Sequence, residues 1–314
     1  MTDLEMPANS FQELRFALAE GDAVRLPARL AQLVRTRALE ARPPGAPSNA
    51  PPPIGPGEAF RRGVNSFDAL LGTLEPDEWR RPALRGLDVQ GLVGHLIGVE
   101  RGFLYALDAS DDAHADDDHV ASTEPFATQQ KGRAPADTHR EWRRAVDDSL
   151  GRIESVVSQD DGFDTPVALY GLRVTLGALL VVRTFEVWTH EEDIRRATTR
   201  PLPEIDTASL RLMTALAVQF LPGGMARASL PGDGRSARLV LTGEGGGTWQ
   251  TGLGLAETGR SVEGPVDVRI VADAVDFCRL VANRIDPAAF AASVTGDTAL
   301  ALDLFTGAAA LALD

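Results

Sequence analysis

The stretch Arg183-Thr-Phe-Glu-Val-Trp-Thr-His-Glu-Glu-Asp-Ile194 places Glu186 and His190 four residues apart. Positions i and i+4 lie on one face of a helix, about one turn apart, so both side chains are expected to point the same way. Apolar neighbours such as Val187 put that face near a hydrophobic core, where an unpaired carboxylate is costly. The stretch therefore indicates a helix with two candidate metal ligands.

Four segments show the spacing of apolar residues that is typical of amphipathic helices. They cover residues 57–74, 88–107, 136–157 and 175–197. Thr175 is the predicted N-cap of the last helix, and Pro201 ends the pattern beyond it. Four helices of this length with one long connection predict an up-down four-helix bundle over residues 57–202.

The pattern changes after Pro203. Residues 203–314 predict a small α/β domain, because alternating strand patterns are mixed with helical ones. The run Gly243-Glu-Gly-Gly-Gly247 lies between two strand patterns and lacks the Lys-Ser/Thr of a phosphate-binding loop, so it predicts a hairpin turn. The expected helices cover residues 205–221, 273–283 and 298–313, and the expected strands cover 237–242, 248–252 and 266–271.

The N-terminal part of the chain is set apart from the rest by proline. Residues 43–56 are so rich in proline that they are predicted to form an extended linker. Residues 1–42 precede it, and Ser10 with Glu13 forms a capping-box pattern there. We therefore predict a helical appendage over residues 1–42.

Composition narrows the class of protein. The chain has 314 residues and a formal net charge of −14, which argues against nucleic acid or an anionic membrane as the main partner. The N-terminus lacks a signal pattern, and no apolar run is long enough to span a membrane, so a cytoplasmic location is expected. The single cysteine, Cys278, lies in a helical apolar pattern and is interpreted as a buried hydrophobe rather than a nucleophile.

A third metal ligand has few candidates, because the chain contains five histidines. His95 stands out, since it lies on the apolar stripe of the second helix. His95, Glu186 and His190 would leave a four-coordinate Zn²⁺ with one open position, the geometry of a catalytic site. The opposing interpretation makes His95 a hydrogen-bonded core residue and the other two a polar pair, and spacing alone favours it.

The segment between the second and third helices is crowded with acids. It reads Asp108-Ala-Ser-Asp-Asp-Ala-His-Ala-Asp-Asp-Asp-His119. The glycine and terminal glutamate of a calcium-binding helix-loop-helix are missing, so a solvated, mobile loop is predicted here.

Two motifs together resemble the mycothiol-dependent maleylpyruvate isomerase family, part of the wider DinB-like group of four-helix metal proteins. They are Gly91-Leu-Val-Gly-His-Leu-Ile-Gly-Val-Glu100 and Thr184-Phe-Glu-Val-Trp-Thr-His-Glu-Glu-Asp-Ile194. The resemblance implies that His95, Glu186 and His190 are metal ligands. Residues 264–305 extend it, because they are similar to the family's sterol-carrier-like C-terminal domain.

The resemblance also implies an activity. A divalent metal, Zn²⁺ by the choice of ligands, would activate a small-molecule thiol, mycothiol in the family, for attack on an electrophilic small-molecule substrate. Such a protein would be an isomerase or an S-transferase. Arg284 is the position implied to reach the active site and bind a substrate carboxylate, with Arg279 as the competing choice. A hydrolase that uses metal-bound water and a non-enzymatic small-ligand or partner-binding protein remain the alternatives.

Overall fold

The computed structural model describes residues 52–108, 116–158, 162–257 and 264–312. The predicted appendage, residues 1–42, and most of the predicted linker lie outside these ranges. The first part of the described chain contains five helices. They are α1 (Pro56–Leu71), α2 (Val89–Asp108), α3 (His119–Gln129), α4 (Pro135–Val157) and α5 (Leu176–Ala197).

Four of these helices are the four predicted from apolar periodicity. Their ends have local causes: a proline lies in the first turn of α1 and of α4, and the Thr175 hydroxyl accepts a hydrogen bond from the backbone N–H of Ala178 at the start of α5. The fifth helix, α3, lies in the long connection and was not predicted. The predicted fold class, a helical bundle followed by a small α/β part, is confirmed.

Each helix that carries a candidate ligand is preceded by a short β-hairpin. Strands β1 (Pro82–Leu84) and β2 (Leu87–Asp88) lead into α2, and β3 (Pro166–Leu169) and β4 (Leu172–Thr175) lead into α5. Both turns have two residues with positive φ, the second a glycine, which is the conformation that suits a tight hairpin. The hairpins therefore fix where α2 and α5 begin.

The second part of the chain forms a mixed four-stranded sheet with helices. The elements are α6 (Thr207–Arg227), β5 (Ser236–Thr242), β6 (Gly247–Gly252), β7 (Val268–Asp273), α7 (Ala274–Val281), β8 (Ala292–Gly296) and α8 (Thr298–Ala309). The strand order is β6-β5-β7-β8, and only β5 and β7 run parallel. The predicted hairpin between β5 and β6 is present, whereas β8 was not predicted.

Helix α5 contributes to two hydrophobic cores. Phe60, Phe67 and Trp142 belong to the bundle core, together with Val187 of α5. Trp188, the next residue along α5, packs instead into the core formed by α6, α7, α8 and the sheet. The candidate ligands of α5 therefore lie where the two cores meet. The domain boundary expected near residue 202 remains a prediction, and no helix in the described ranges has the length and apolarity needed to span a membrane.

Helices α2 and α3 approach each other through glycines. A Cβ atom added to Gly94 would lie 2.7 Å from Cγ of Gln130 and 2.8 Å from Cα of Ala127. A Cβ atom added to Gly98 would lie 2.8 Å from the Phe126 ring and 3.1 Å from Cα of Thr123. Any larger residue at either position would push the helices apart, so these glycines set how closely α3 covers His95.

Gly94→Ala is expected to lower the free energy of unfolding by about 1–3 kcal/mol, because the new methyl group overpacks the contact with α3. Alanine favours a helix over glycine by about 1 kcal/mol, so any net loss comes from this contact. Gly151→Ala is the matched control, since nothing lies within 4 Å of a Cβ atom at that exposed position of α4. Urea unfolding of both variants tests the prediction, and equal stabilisation of the two would contradict it.

Candidate metal centre

The structure brings His95 of α2 together with Glu186 and His190 of α5. One ligand atom from each side chain lies within 4.8 Å of those of the other two. The rings of His95 and His190 meet edge to face, with centroids 5.4 Å apart. His95 and His190 are buried, and the Glu186 side chain is 14% exposed. The geometry is that of the three-ligand site expected from the sequence, although its assignment to a metal remains a prediction.

The orientation of the His95 imidazole is set by helix α3. Nδ1 of His95 lies 2.7 Å from the hydroxyl oxygen of Thr123. The one hydroxyl proton of Thr123 is donated to the backbone carbonyl of His119, at 2.8 Å, so the hydroxyl oxygen accepts a hydrogen bond from the N–H at Nδ1 of His95. The neutral imidazole then carries its lone pair on Nε2, the nitrogen that faces Glu186.

Asp193 fixes the same tautomer in the His190 imidazole, with the proton on Nδ1. Nδ1 of His190 lies 3.1 Å from Oδ2 of Asp193, and an ionised carboxylate can only accept a hydrogen bond. Burial would raise the pKa of Asp193, but the hydrogen bonds from His190 and Arg284 lower it to about 2. Asp193 is therefore ionised at neutral pH, and Nε2 of His190 is left with its lone pair for a metal.

Glu186 is held by an ion network whose other members are fully buried. Arg183 donates to Oε2 of Glu186 and to Oε1 of Glu100, and Ser149 donates to the other oxygen of Glu100 at 2.7 Å. Arg183 and Glu100 are 1% and 0% exposed. Burial would raise the pKa of Glu186, but the charge of Arg183 holds it well below its usual range. Arg183 thus engages one oxygen of an ionised carboxylate and leaves Oε1 for another partner.

The unpartnered Glu186 oxygen fits a metal ion. Oε1 is buried and accepts no hydrogen bond from the described residues, although Nε2 of His95 lies 3.5 Å away and Nε2 of His119 lies 3.3 Å away. Among the candidate ligands, the 3.5 Å between Nε2 of His95 and Oε1 of Glu186 is close to the edge, roughly 3.4 Å, of a tetrahedron with metal–ligand distances of about 2.1 Å. Burial also lowers the pKa of His95 to about 4, so this imidazole is neutral, as a ligand must be.

His119 belongs to the site, contrary to the prediction of a solvated loop for residues 108–119. Residues 109–115 lie outside the described ranges, but His119 is the first residue of α3 and is 6% exposed. Its ring packs edge to face on Tyr170, at the tip of the second hairpin, and 5.0 Å from the ring of His95. The spacing of His119, Thr123 and Ala127, one helical turn each, was the signal available in the sequence.

Thr123→Val is expected to weaken metal binding about 10- to 100-fold, because His95 loses the acceptor that fixes its orientation. Valine has nearly the same shape as threonine, so the packing of α3 on α2 is kept. Thr128→Val, at an exposed position of the same helix, is the control and should bind metal like the native chain. Competition with a chromophoric chelator measures both affinities, and an unchanged affinity in Thr123→Val would rule out this orienting role.

A cavity of about 110 Å³ opens beside Glu186 and His190, between α5 and the second part of the chain. Its wall is mainly apolar, and we call it the apolar cavity. The residues that line it are His119, Val182, Phe185, Glu186, Thr189, His190, Leu216, Ala217, Phe220, Val281, Ala282, Arg284, Leu311 and Ala312. A second cavity, of about 160 Å³, reaches His95 and His190 from the side of the first hairpin and α3. The candidate ligands are therefore approached from two directions.

The two candidate arginines differ in position. Arg284 lines the apolar cavity and donates to both oxygens of Asp193, at 2.9 and 2.8 Å. Arg279 is not among the residues that line this cavity, and it pairs with Glu192 at 2.8 Å. The geometry favours Arg284 as the residue that reaches the candidate site. It is linked through Asp193 to His190.

The fold and these side chains define the class of protein. It is a four-helix bundle with a candidate His/Glu metal centre, followed by an α/β part. Residues 60–195 match the model of the mycothiol maleylpyruvate isomerase N-terminal domain, so this segment is similar to that domain. The match includes His95, Glu186 and His190 and stops short of Arg284. No curated protein matches the chain.

Two solved structures have a fold similar to that of this chain. The crystal structure of the mycothiol-dependent maleylpyruvate isomerase is similar with a TM-score of 0.52 and 16% sequence identity, over 77% of this chain and 93% of the other. A histidine-to-alanine mutant of the mycothiol-dependent maleylpyruvate isomerase gives a TM-score of 0.51 and 15% identity over the same shares. The fold is therefore shared well beyond the segment that the family model matches.

Proposed function

We propose that this protein is a metal-dependent thiol isomerase or S-transferase that acts on an electrophilic small molecule. The observation that carries the proposal is the convergence of three oriented ligand atoms beside a cavity, with Oε1 of Glu186 buried and unpartnered. The match of residues 60–195 to the mycothiol maleylpyruvate isomerase N-terminal domain supports mycothiol as the thiol. The ligand chemistry, two imidazoles and a carboxylate, favours Zn²⁺.

The residues of the chain have separate tasks in this proposal. A bound divalent ion would supply the charge that favours the thiolate form of the cosubstrate. Thr123 and Asp193 hydrogen-bond to Nδ1 of the two imidazoles, and Arg183 binds one oxygen of Glu186, so His95, His190 and Glu186 would be the residues that hold the ion. The apolar cavity limits water around the reacting carbon, and Arg284 at its polar end binds a substrate carboxylate.

The proposed reaction needs no reactant besides the thiol and the electrophile. The S–H proton is released, the thiolate sulfur forms a bond to the electrophilic carbon, and the electron pair of the attacked double bond moves onto its conjugated carbonyl group. In an isomerase, rotation follows and the C–S bond breaks again, which regenerates the thiol. In a transferase, the carbon next to the carbonyl group takes up a proton as the carbonyl re-forms, and the conjugate leaves.

Consumption of an electrophile by metal-loaded and metal-stripped protein, each with and without mycothiol, tests the proposal. Activity is expected only when both metal and thiol are present, and His190→Ala should lose it. His139→Ala is a matched control, because His139 pairs with Asp68 outside the candidate site. Metal-dependent turnover without any thiol would instead indicate a hydrolase, and thiol-dependent turnover that survives metal removal would contradict the metal role.

A further inference from the structure

The wall of the apolar cavity limits the kind of electrophile that can occupy it. Nine of its fourteen residues are aliphatic, aromatic or alanine, and its polar residues belong to or adjoin the candidate metal centre. Phe185 and Phe220 provide two aromatic surfaces. Such a wall favours a ligand with an apolar or aromatic body, because burial of apolar surface contributes about 25 cal/mol per Å².

Arg284 is the only lysine or arginine among the described residues that line this cavity. Its charge is already matched, since Nε and Nη2 donate to Asp193 and Nη1 donates to the backbone carbonyl of Ala282 at 2.8 Å. A substrate carboxylate must share this guanidinium with Asp193. The cavity therefore has cationic partners for at most one carboxylate.

The charges around the metal centre lead to the same limit. The buried network holds three carboxylates, Glu100, Glu186 and Asp193, and two guanidinium groups, Arg183 and Arg284. A divalent ion would leave one positive charge, and a thiolate would cancel it. A dianionic substrate would then bring two charges into the apolar cavity, where the described lining residues offer no further cation, which is unfavourable.

From this cavity wall and charge arrangement, we infer that the electrophile is a conjugated carbonyl compound with an apolar or aromatic body and no more than one carboxylate. This inference rests on the proposed function and adds the substrate class. It separates this chain from an enzyme built for a short dicarboxylate.

Binding and turnover are measured with matched compounds. Metal-loaded protein is titrated calorimetrically with two unreactive acids, phenylpropanoate with one carboxylate and succinate with two. Turnover with mycothiol is compared for benzylideneacetone, benzoylacrylate and maleylpyruvate, which carry none, one and two carboxylates. We expect phenylpropanoate to bind at least about tenfold more tightly than succinate, and kcat/KM for the better aryl compound to exceed that for maleylpyruvate by about the same factor.

A substitution in the cavity wall tests whether the number of cations there sets the preference for one carboxylate over two. Leu216 lines the cavity and is half-buried, so Leu216→Arg adds a cation there and should shift the preference toward succinate and maleylpyruvate, whereas Leu216→Met should keep the native preference. Tighter binding of succinate, or a higher kcat/KM for maleylpyruvate, by the native chain would overturn the inference and leave the proposed function intact. Turnover of none of the three electrophiles would instead contradict the proposed function.

Discussion

Arg183→Met is expected to lower the free energy of unfolding of the metal-free protein by about 3–5 kcal/mol. The guanidinium bridges Glu100 and Glu186, and its removal leaves two buried carboxylates without a cation. Methionine retains much of the packing volume of the arginine side chain. The loss therefore reports charge rather than a cavity. Urea unfolding in the presence of a chelator measures it.

Two comparisons test whether the stability lost in Arg183→Met comes from the buried ion network. Arg62→Met removes an exposed pair with Glu58 and Asp206 and should leave the unfolding midpoint nearly unchanged. Adding Glu100→Gln to Arg183→Met removes one of the uncompensated charges and should recover part of the stability. A loss below about 1 kcal/mol in Arg183→Met would show that the buried network does not depend on this cation.

Glu186→Gln is expected to weaken metal binding by more than about 100-fold while it leaves the metal-free protein folded. Loss of a ligand carboxylate should exceed the effect of losing a residue that only orients a ligand. The amide oxygen of glutamine can still accept from Arg183, which also keeps Glu100 as its partner, so stability should change by about 1 kcal/mol or less.

Glu191→Gln is the matched control for this effect. Glu191 is a neighbouring buried carboxylate on α5 that pairs with Arg195 and lies outside the candidate ligand set. It should bind metal with native affinity. Chelator competition and urea unfolding separate the two properties, and a metal affinity in Glu186→Gln equal to that of the control would remove Glu186 from the ligand set.

The helices and the ligand pair on α5 could be predicted because they depend on local order in the sequence. Apolar spacing along residues 175–197 defines the helix, and Glu186 and His190 share a face whatever the rest of the chain does. The addition of His95 needed family resemblance, since a lone histidine on an apolar stripe carries no information about a partner about 90 residues away. The structure places it beside the other two.

Helix α3 escaped prediction for a physical reason. It packs on α2 through Thr123 and Ala127 against Gly94 and Gly98, and such small residues leave no hydrophobic stripe in the sequence. It also carries an internal proline, Pro125, and follows an acidic segment. The positions of His119 and Thr123 at the metal centre therefore appear only when α2 and α3 are seen together.

The role of Arg183 could not be predicted from the sequence for a different reason. Its partner Glu100 lies 83 residues away on α2, and only the packing of the bundle brings the two side chains into contact. In the sequence, Arg183 is one of several charged residues of α5, and nothing beside it in the chain marks its role. The same holds for Arg284, whose contact with Asp193 joins two parts of the chain 91 residues apart.

The most direct test of a three-ligand centre with an open position is a titration of cobalt-loaded protein with mycothiol, followed by absorption spectroscopy. The account predicts about one Co²⁺ per chain and a sulfur-to-cobalt charge-transfer band that grows to saturation as thiol is added. Failure of the native chain to bind Co²⁺, or a spectrum that thiol leaves unchanged, would contradict it.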